Sequence, residues 1–188
     1  MQFTLIRHGK ADATASPDHR VRPLSEEGKA QATARREKLG NPQFDLVCHS
    51  ILGRTRETAM IIAEPQNGTP VVTVPGLFYE ERDLRGEAVD RLFGKLGHAA
   101  PREYMSEAED EIISLANETI DAIYQEIAQT GAQNVLVVGH GILLQALART
   151  LTKLDEPFMS CICGECEGFV IRLDHYHNNE VLGIEQLN

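Results

Sequence analysis

Apolar residues in this chain fall into short blocks separated by longer amphipathic stretches, and the length of each block indicates its secondary structure. "QFTLI" (2–6) is short and rich in β-formers, which predicts a strand. "SEEGKAQATARREKLG" then predicts a helix. Ser25 is its candidate N-cap, Glu26 and Glu27 face the positive end of the helix dipole, and Gly40 lies just past the last turn. "FDLVC" (44–48) reads as a second strand, followed by a helix in "ILGRTRETAMIIAE" capped by Ser50 or a neighbour. "PVVTV" is a third strand, and the polar stretch from Phe78 to Arg102 should hold one helix near 87–96. Ser106 with Glu109 three residues on makes a capping box, which opens a long helix to about Gln129 that Gly131 ends. "NVLVVGHG" is a buried strand running into the apolar helix "ILLQALARTL". "GFVIRLDHYH" and "EVLGIEQL" close the chain as a hairpin turning at Asn178 and Asn179.

Alternation of strand and helix predicts an α/β fold, a three-layer α/β/α arrangement whose mostly parallel central sheet ends in an antiparallel hairpin. At 188 residues with 42% apolar content, the chain should form one domain spanning 1–188, with a small helical lid or insertion around 78–105. Its formal charge of -10, from 28 acidic and 18 basic residues, argues against nucleic acid as a partner, and any anionic ligand must be held by local positive charge. No run of about 18 apolar residues suits a membrane span, and "MQFTLIRHG" is too short in apolar residues for a signal peptide. The expected setting is cytoplasmic, without a membrane partner, and the four cysteines do not suggest a disulfide framework. Oligomeric state is left open by these patterns.

Two of the predicted strands end alike. "TLIRHG" and "VLVVGHG" place His8 and His140 at strand carboxyl ends, where α/β sheets bind ligands. Gly9 and Gly141 follow them and let the backbone turn sharply while a ligand comes close. A third strand end adds "HSILGRTRETA", with Arg54 and Arg56 in the first turns of a helix whose own N–H groups favour an anion. Arg7 supplies a further positive charge. Arginines and imidazoles around one anion hole suit a phosphoryl group, because the guanidinium fork grips phosphate oxygens bidentately. A neutral imidazole is also a competent nucleophile toward phosphorus, and the surrounding cations would stabilise the transition state without a metal.

The motifs "LIRHG" (5–9), "RPLSEEGKAQA" (22–32), "SILGRTRETA" (50–59) and "VVGHG" (137–141) resemble, in order, those of the histidine phosphatase superfamily, the phosphoglycerate-mutase-like fold. That resemblance implies a metal-independent phosphatase needing no cofactor. His8 would be the phosphorylated nucleophile, Arg7 and Arg54 the phosphate-binding arginines, and His140 the second pocket histidine. It also implies a glutamate general acid after the third strand, for which "GLFYEERDL" offers Glu80 or, alternatively, Glu81. Substrate would be a phosphorylated small molecule or a phosphoprotein, including phosphohistidine. Arg56 falls on a position the pattern leaves variable, and Ile51 replaces the usual proline after the second strand. The alternative readings are a non-catalytic phosphate-binding or zinc-holding module on the same fold, or a phosphoglycerate-type mutase. Cys161, Cys163 and Cys166, with His175 and His177, are the residues a zinc site would use, although Cys161 and Cys163 equally suit a buried face. Arg82, Arg85, Arg91 and Arg102 are candidates to meet a second anionic group on the substrate.

Overall fold

The computed structural model describes residues 1–65, 68–78, 84–97, 99–174 and 180–188. Strand β1 (Gln2–Arg7) leads to helix α1 (Glu26–Lys38), β2 (Leu46–His49), α2 (Gly53–Ala63) and β3 (Val71–Thr73). After a 3-10 turn at Pro75–Leu77 come α3 (Leu84–Leu96), α4 (Pro101–Thr130), β4 (Asn134–Gly139), α5 (Gly141–Thr152), β5 (Gly168–Asp174) and β6 (Glu180–Leu187). The six strands form one sheet in the order β3-β2-β4-β1-β5-β6. The first four run parallel, and β5 and β6 add on antiparallel, as expected from the sequence. The proposed turn at Asn178–Asn179, and His175 and His177, lie outside the described residues.

Side-chain alternation along the strands splits the core between the two faces of the sheet. Phe3, Leu5, Val135, Val137, Phe169 and Ile171 pack with Ile123 and Ile127 of α4 and Leu144 and Leu147 of α5. Ile6, Val47, Leu136, Val138 and Val170 pack with Ala32 of α1 and Ala59 and Ile62 of α2. A third cluster sits beyond the carboxyl ends of the parallel strands. It joins Val89 and Leu92 of α3 to Tyr104, Ile112 and Leu115 of α4 and Leu143 and Ala146 of α5.

Two helix starts differ from their sequence expectation. Ser25 caps α1 as expected, its hydroxyl accepting from the Gly28 N–H at 3.0 Å. The long helix, however, begins at Pro101, whose fixed φ suits the first helical position, rather than at Ser106. Ser106 donates to the Glu103 carbonyl, and Glu109 pairs with Arg149 instead of closing a capping box. The helix breaks nearby, at Ala108 (φ −149°, ψ 43°), so the sequence signal fell close to a real discontinuity. The cap of α2 is Leu52, which brings no side-chain hydrogen bond, and Ser50 is used elsewhere.

Glycines fix the closest approaches between backbones. A Cβ on Gly168 would lie 1.8 Å from the Leu5 carbonyl oxygen, inside the β1–β5 ladder, whereas one on Gly94 of α3 would meet nothing within 4 Å. Gly168→Ala should therefore cost at least about 2 kcal/mol in urea denaturation, while Gly94→Ala should gain about 0.5–1 kcal/mol by restricting the unfolded chain.

Candidate active site

The site grows from strand register. In the parallel β1–β4 pair Arg7 lies opposite Gly139, so the next residues, His8 and His140, leave the sheet side by side. The His8 N–H still donates to the Gly139 carbonyl at 3.0 Å, which extends the ladder one step past the last strand residue. On the other side of β4, β2 ends at His49 opposite Val138, and the Ser50 N–H donates to Val138. Three strand ends thus meet at one edge of the sheet, and α2 and α5 start there.

The two imidazole rings stand edge to face, 4.9 Å apart between centroids. His8 is buried, with Nδ1 2.7 Å from the Gly9 carbonyl oxygen. A carbonyl can only accept, so Nδ1 carries the hydrogen and Nε2 presents its lone pair. Arg54 Nε donates to that Nε2 at 3.1 Å, and Arg54 Nη1 donates to the His19 carbonyl at 2.6 Å. Arg7 is held from the other side, Nη1 donating to the Cys163 carbonyl at 2.7 Å. Of the two glycines after the histidines, Gly9 is needed for space, whereas Gly141 has room for a Cβ in ordinary contact. A Cβ on Gly9 would lie 2.6 Å from the Gly28 carbonyl oxygen of α1, and one on Gly141 would touch the Arg7 side chain at 3.7 Å.

Burial and nearby positive charge act on both rings in the same direction. The His8 pKa is lowered from its ordinary 6.5 to about 3, chiefly by desolvation and then by the Arg54 guanidinium. His140 is pushed well below 6.5 by packing around the ring, with His8, Arg54 and Arg7 adding to the effect. Both rings are therefore neutral at physiological pH, and the positive charge of the site resides in Arg7 and Arg54.

The structure brings Arg7, His8, Arg54, His140 and Gly141 to one cavity of about 600 Å³. Arg56 is exposed on α2 and does not line it. Glu80 and Glu81 lie outside the described residues, although Phe78, two residues before Glu80, stacks against His140 with centroids 4.8 Å apart. Of the four arginines offered for a second anion, Arg82 lies outside the described residues. Arg85 instead pairs with Glu118 and bonds Ser114 on α4, and Arg102 pairs with Glu156. Arg91 is exposed and does not line the cavity.

Cys163 and Cys166 belong to core clusters on opposite faces of the sheet, and burial pushes each thiol up to about 12. Among the described residues, no group of three histidine, cysteine or acidic side chains could hold a metal ion.

Two polar residues at the site, Thr55 and Thr58, escaped the sequence reading, and a third, Ser50, was read there only as a helix cap. Ser50 Oγ lies 3.1 Å from His140 Nε2 and 2.8 Å from Thr55 Oγ1, so it orients a pocket imidazole rather than capping α2. Thr55 is fixed in turn by donating to the Leu52 carbonyl at 2.7 Å. Thr58 Oγ1 accepts from the Gly9 N–H at 3.1 Å and donates to the Arg54 carbonyl at 2.8 Å, joining the His8 turn to α2. The one available signal was spacing, because Thr58 stands four residues after Arg54 and shares its helix face.

A family model described as the histidine phosphatase superfamily (branch 1) matches residues 3–183. The chain belongs to that superfamily. It is 27% identical over 196 residues to the adenosylcobalamin/alpha-ribazole phosphatase of Salmonella typhimurium, covering 90% of this chain and 93% of that protein. It is 28% identical over 171 residues to a metal-independent phosphoserine phosphatase of Arabidopsis thaliana, covering 82% of this chain and 70% of the relative. In fold it matches the alpha-ribazole phosphatase of Shigella flexneri with a TM-score of 0.67 at 24% identity, over 100% of this chain and 96% of that one. Among the described residues no helix is long and apolar enough to cross a membrane.

The titration of the two rings checks this geometry. Between pH 6.5 and 3 the unfolded chain binds a proton at His8 that the folded chain does not, so stability should fall as pH drops through that window. Side-chain imidazole NMR should show His8 as the neutral Nδ1–H tautomer at pH 5. Added phosphate, which supplies negative charge beside both rings, should raise both pKa values. A His8 signal titrating near 6.5 in the free protein would contradict the buried arrangement.

Proposed function

We propose that this chain is a metal-independent phosphatase that hydrolyses phosphomonoesters through a covalent phosphohistidine at His8. One observation carries the reading: the His8 Nε2 lone pair is presented, by an Nδ1–H tied to the Gly9 carbonyl, to a cavity floor bearing Arg54 and Arg7. Such a nitrogen needs no deprotonation before it attacks.

In the first half-reaction Nε2 attacks phosphorus, a P–N bond forms and the P–O bond to the leaving group breaks. Arg7 and Arg54 neutralise the phosphoryl oxygens, their guanidiniums exchanging present contacts for phosphate. His140 completes the phosphoryl pocket, held by Ser50 so that Nδ1 is the ring nitrogen left for a ligand. Glu80, two residues beyond the cavity-lining Phe78, is proposed as the acid that protonates the leaving oxygen, and with that proton gone its carboxylate can draw one from the attacking water. Water then displaces the imidazole, and inorganic phosphate departs with His8 restored. The named phosphatases among its relatives support small phosphorylated molecules as the substrate class. The region around 78–105 is proposed as the lid over the site, with a cytoplasmic location.

Hydrolysis of an aryl phosphate in EDTA should be lost in His8→Ala, and a rapid alkaline quench should trap one phosphoryl group on wild-type protein only. Arg54→Ala and His140→Ala should lose about 10²–10³-fold while remaining folded by circular dichroism. Equal turnover in wild type and His8→Ala would overturn the proposal. Glu80→Gln should slow alkyl phosphates far more than 4-nitrophenyl phosphate, whose leaving group needs little protonation, whereas Glu81→Gln should not discriminate between them.

A further inference from the structure

The cavity above the histidines is chemically two-sided. Its floor carries Arg7, His8, Arg54 and His140, and a phosphoryl group occupies only a small part of about 600 Å³. Its walls are largely hydrocarbon. Val89 and Phe93 come from α3, Leu143 from α5, Phe78 from the turn after β3, and Ile162 from the segment before β5.

Scattered exposed apolar residues are normal on any protein surface, so neither Phe93 nor Ile162 would mean much alone. Both, however, are about half exposed, at 52% and 53%, and both open onto this one cavity. Large apolar side chains left wet inside a cleft with a charged floor indicate the part of the ligand that covers them.

Among the described residues lining the cavity, those of α3, α5 and the segment before β5 include no cation, and the cations other than Arg7 and Arg54 are Lys10 and Arg22, from the loop between β1 and α1. Arg22 donates to the carbonyls of Ser16 and Pro17, and Lys10 pairs with Glu27. The α3 wall itself contributes a carboxylate, Asp90, paired with Arg20 of the loop that also carries His19. A second carboxylate or phosphate lying against Phe93 and Val89 would have to bury its charge on hydrocarbon, where desolvation opposes it.

We propose that the leaving group taken by this site is a bulky, uncharged alcohol with an apolar, preferably aromatic, body, and that Phe93 and Ile162 set the preference. The inference rests on the phosphatase reading above and names the substrate class for it.

Pairs of esters whose alcohols have nearly equal acidity separate recognition from leaving-group chemistry. For 2-naphthyl against phenyl phosphate, kcat/KM should favour the larger ring about tenfold, the gain expected if roughly 50–60 Å² more apolar surface is buried. For 2-phenylethyl phosphate against 3-phosphoglycerate the preference should exceed tenfold. Phe93→Ser and Ile162→Ser should each pull both ratios toward one, the ratio rather than the absolute rate being the readout. Ratios near one in the wild type, a preference for 3-phosphoglycerate, or ratios untouched by both substitutions would overturn this inference while leaving His8-dependent hydrolysis standing. Absence of His8-dependent turnover for every ester would overturn the phosphatase reading, and this inference with it.

Discussion

The parallel pairing of β1 with β4 is the constraint on which the site depends. Because Arg7 sits opposite Gly139, the two chains leave the sheet at the same level, and the two imidazoles have no choice but to be neighbours. A slip of one residue would send every apolar side chain of β1 to the wrong face, so the core that holds the sheet together also holds the histidines in register. The pairing of β2 with β4 brings in Ser50 by the same logic, and Thr58 and Arg54 follow on the helix that begins just beyond.

Electrostatics explains why so much local structure surrounds so few reactive atoms. Two arginines beside two buried rings would repel if either ring were protonated, and the lowered pKa values of His8 and His140 express that repulsion together with the cost of desolvation. Neutrality leaves His8 Nε2 with its lone pair. The guanidiniums meanwhile satisfy themselves on backbone carbonyls, Arg7 on Cys163 and Arg54 on His19. A ligand bringing negative charge would offer these arginines stronger partners than neutral carbonyls do.

Sequence reasoning reached the sheet and most of the helices, and it named Arg7, His8, Arg54 and His140, which the fold brings to one cavity, because each carries a local signal: an apolar strand of fixed length, a glycine after it, an arginine in the first turn of a helix. It placed the start of α4 at Ser106, since a serine and a glutamate three apart imitate a cap, whereas Pro101 had already set the first turn. It offered Arg82, Arg85, Arg91 and Arg102 to the ligand because an arginine's charge is visible in sequence while its pairing is not. Glu118 and Glu156, which engage Arg85 and Arg102, lie 33 and 54 residues away along the chain. Ser50 was read as a cap for a similar reason: its contact with His140 spans 90 residues.

The third apolar cluster touches the sheet's own core only lightly in composition. Val89, Leu92, Tyr104, Ile112 and Leu115 pack among α3, α4 and the start of α5, while the strand residues belong to the other two clusters. The strand register and most of the walls above it thus rest on different residues, with Phe78 and Leu52 of the third cluster joining the two at His140 and Thr55. Substitutions within that cluster can reshape what enters the cavity without altering the strand register that sets the floor, so selectivity and chemistry in this fold are free to evolve on different residues.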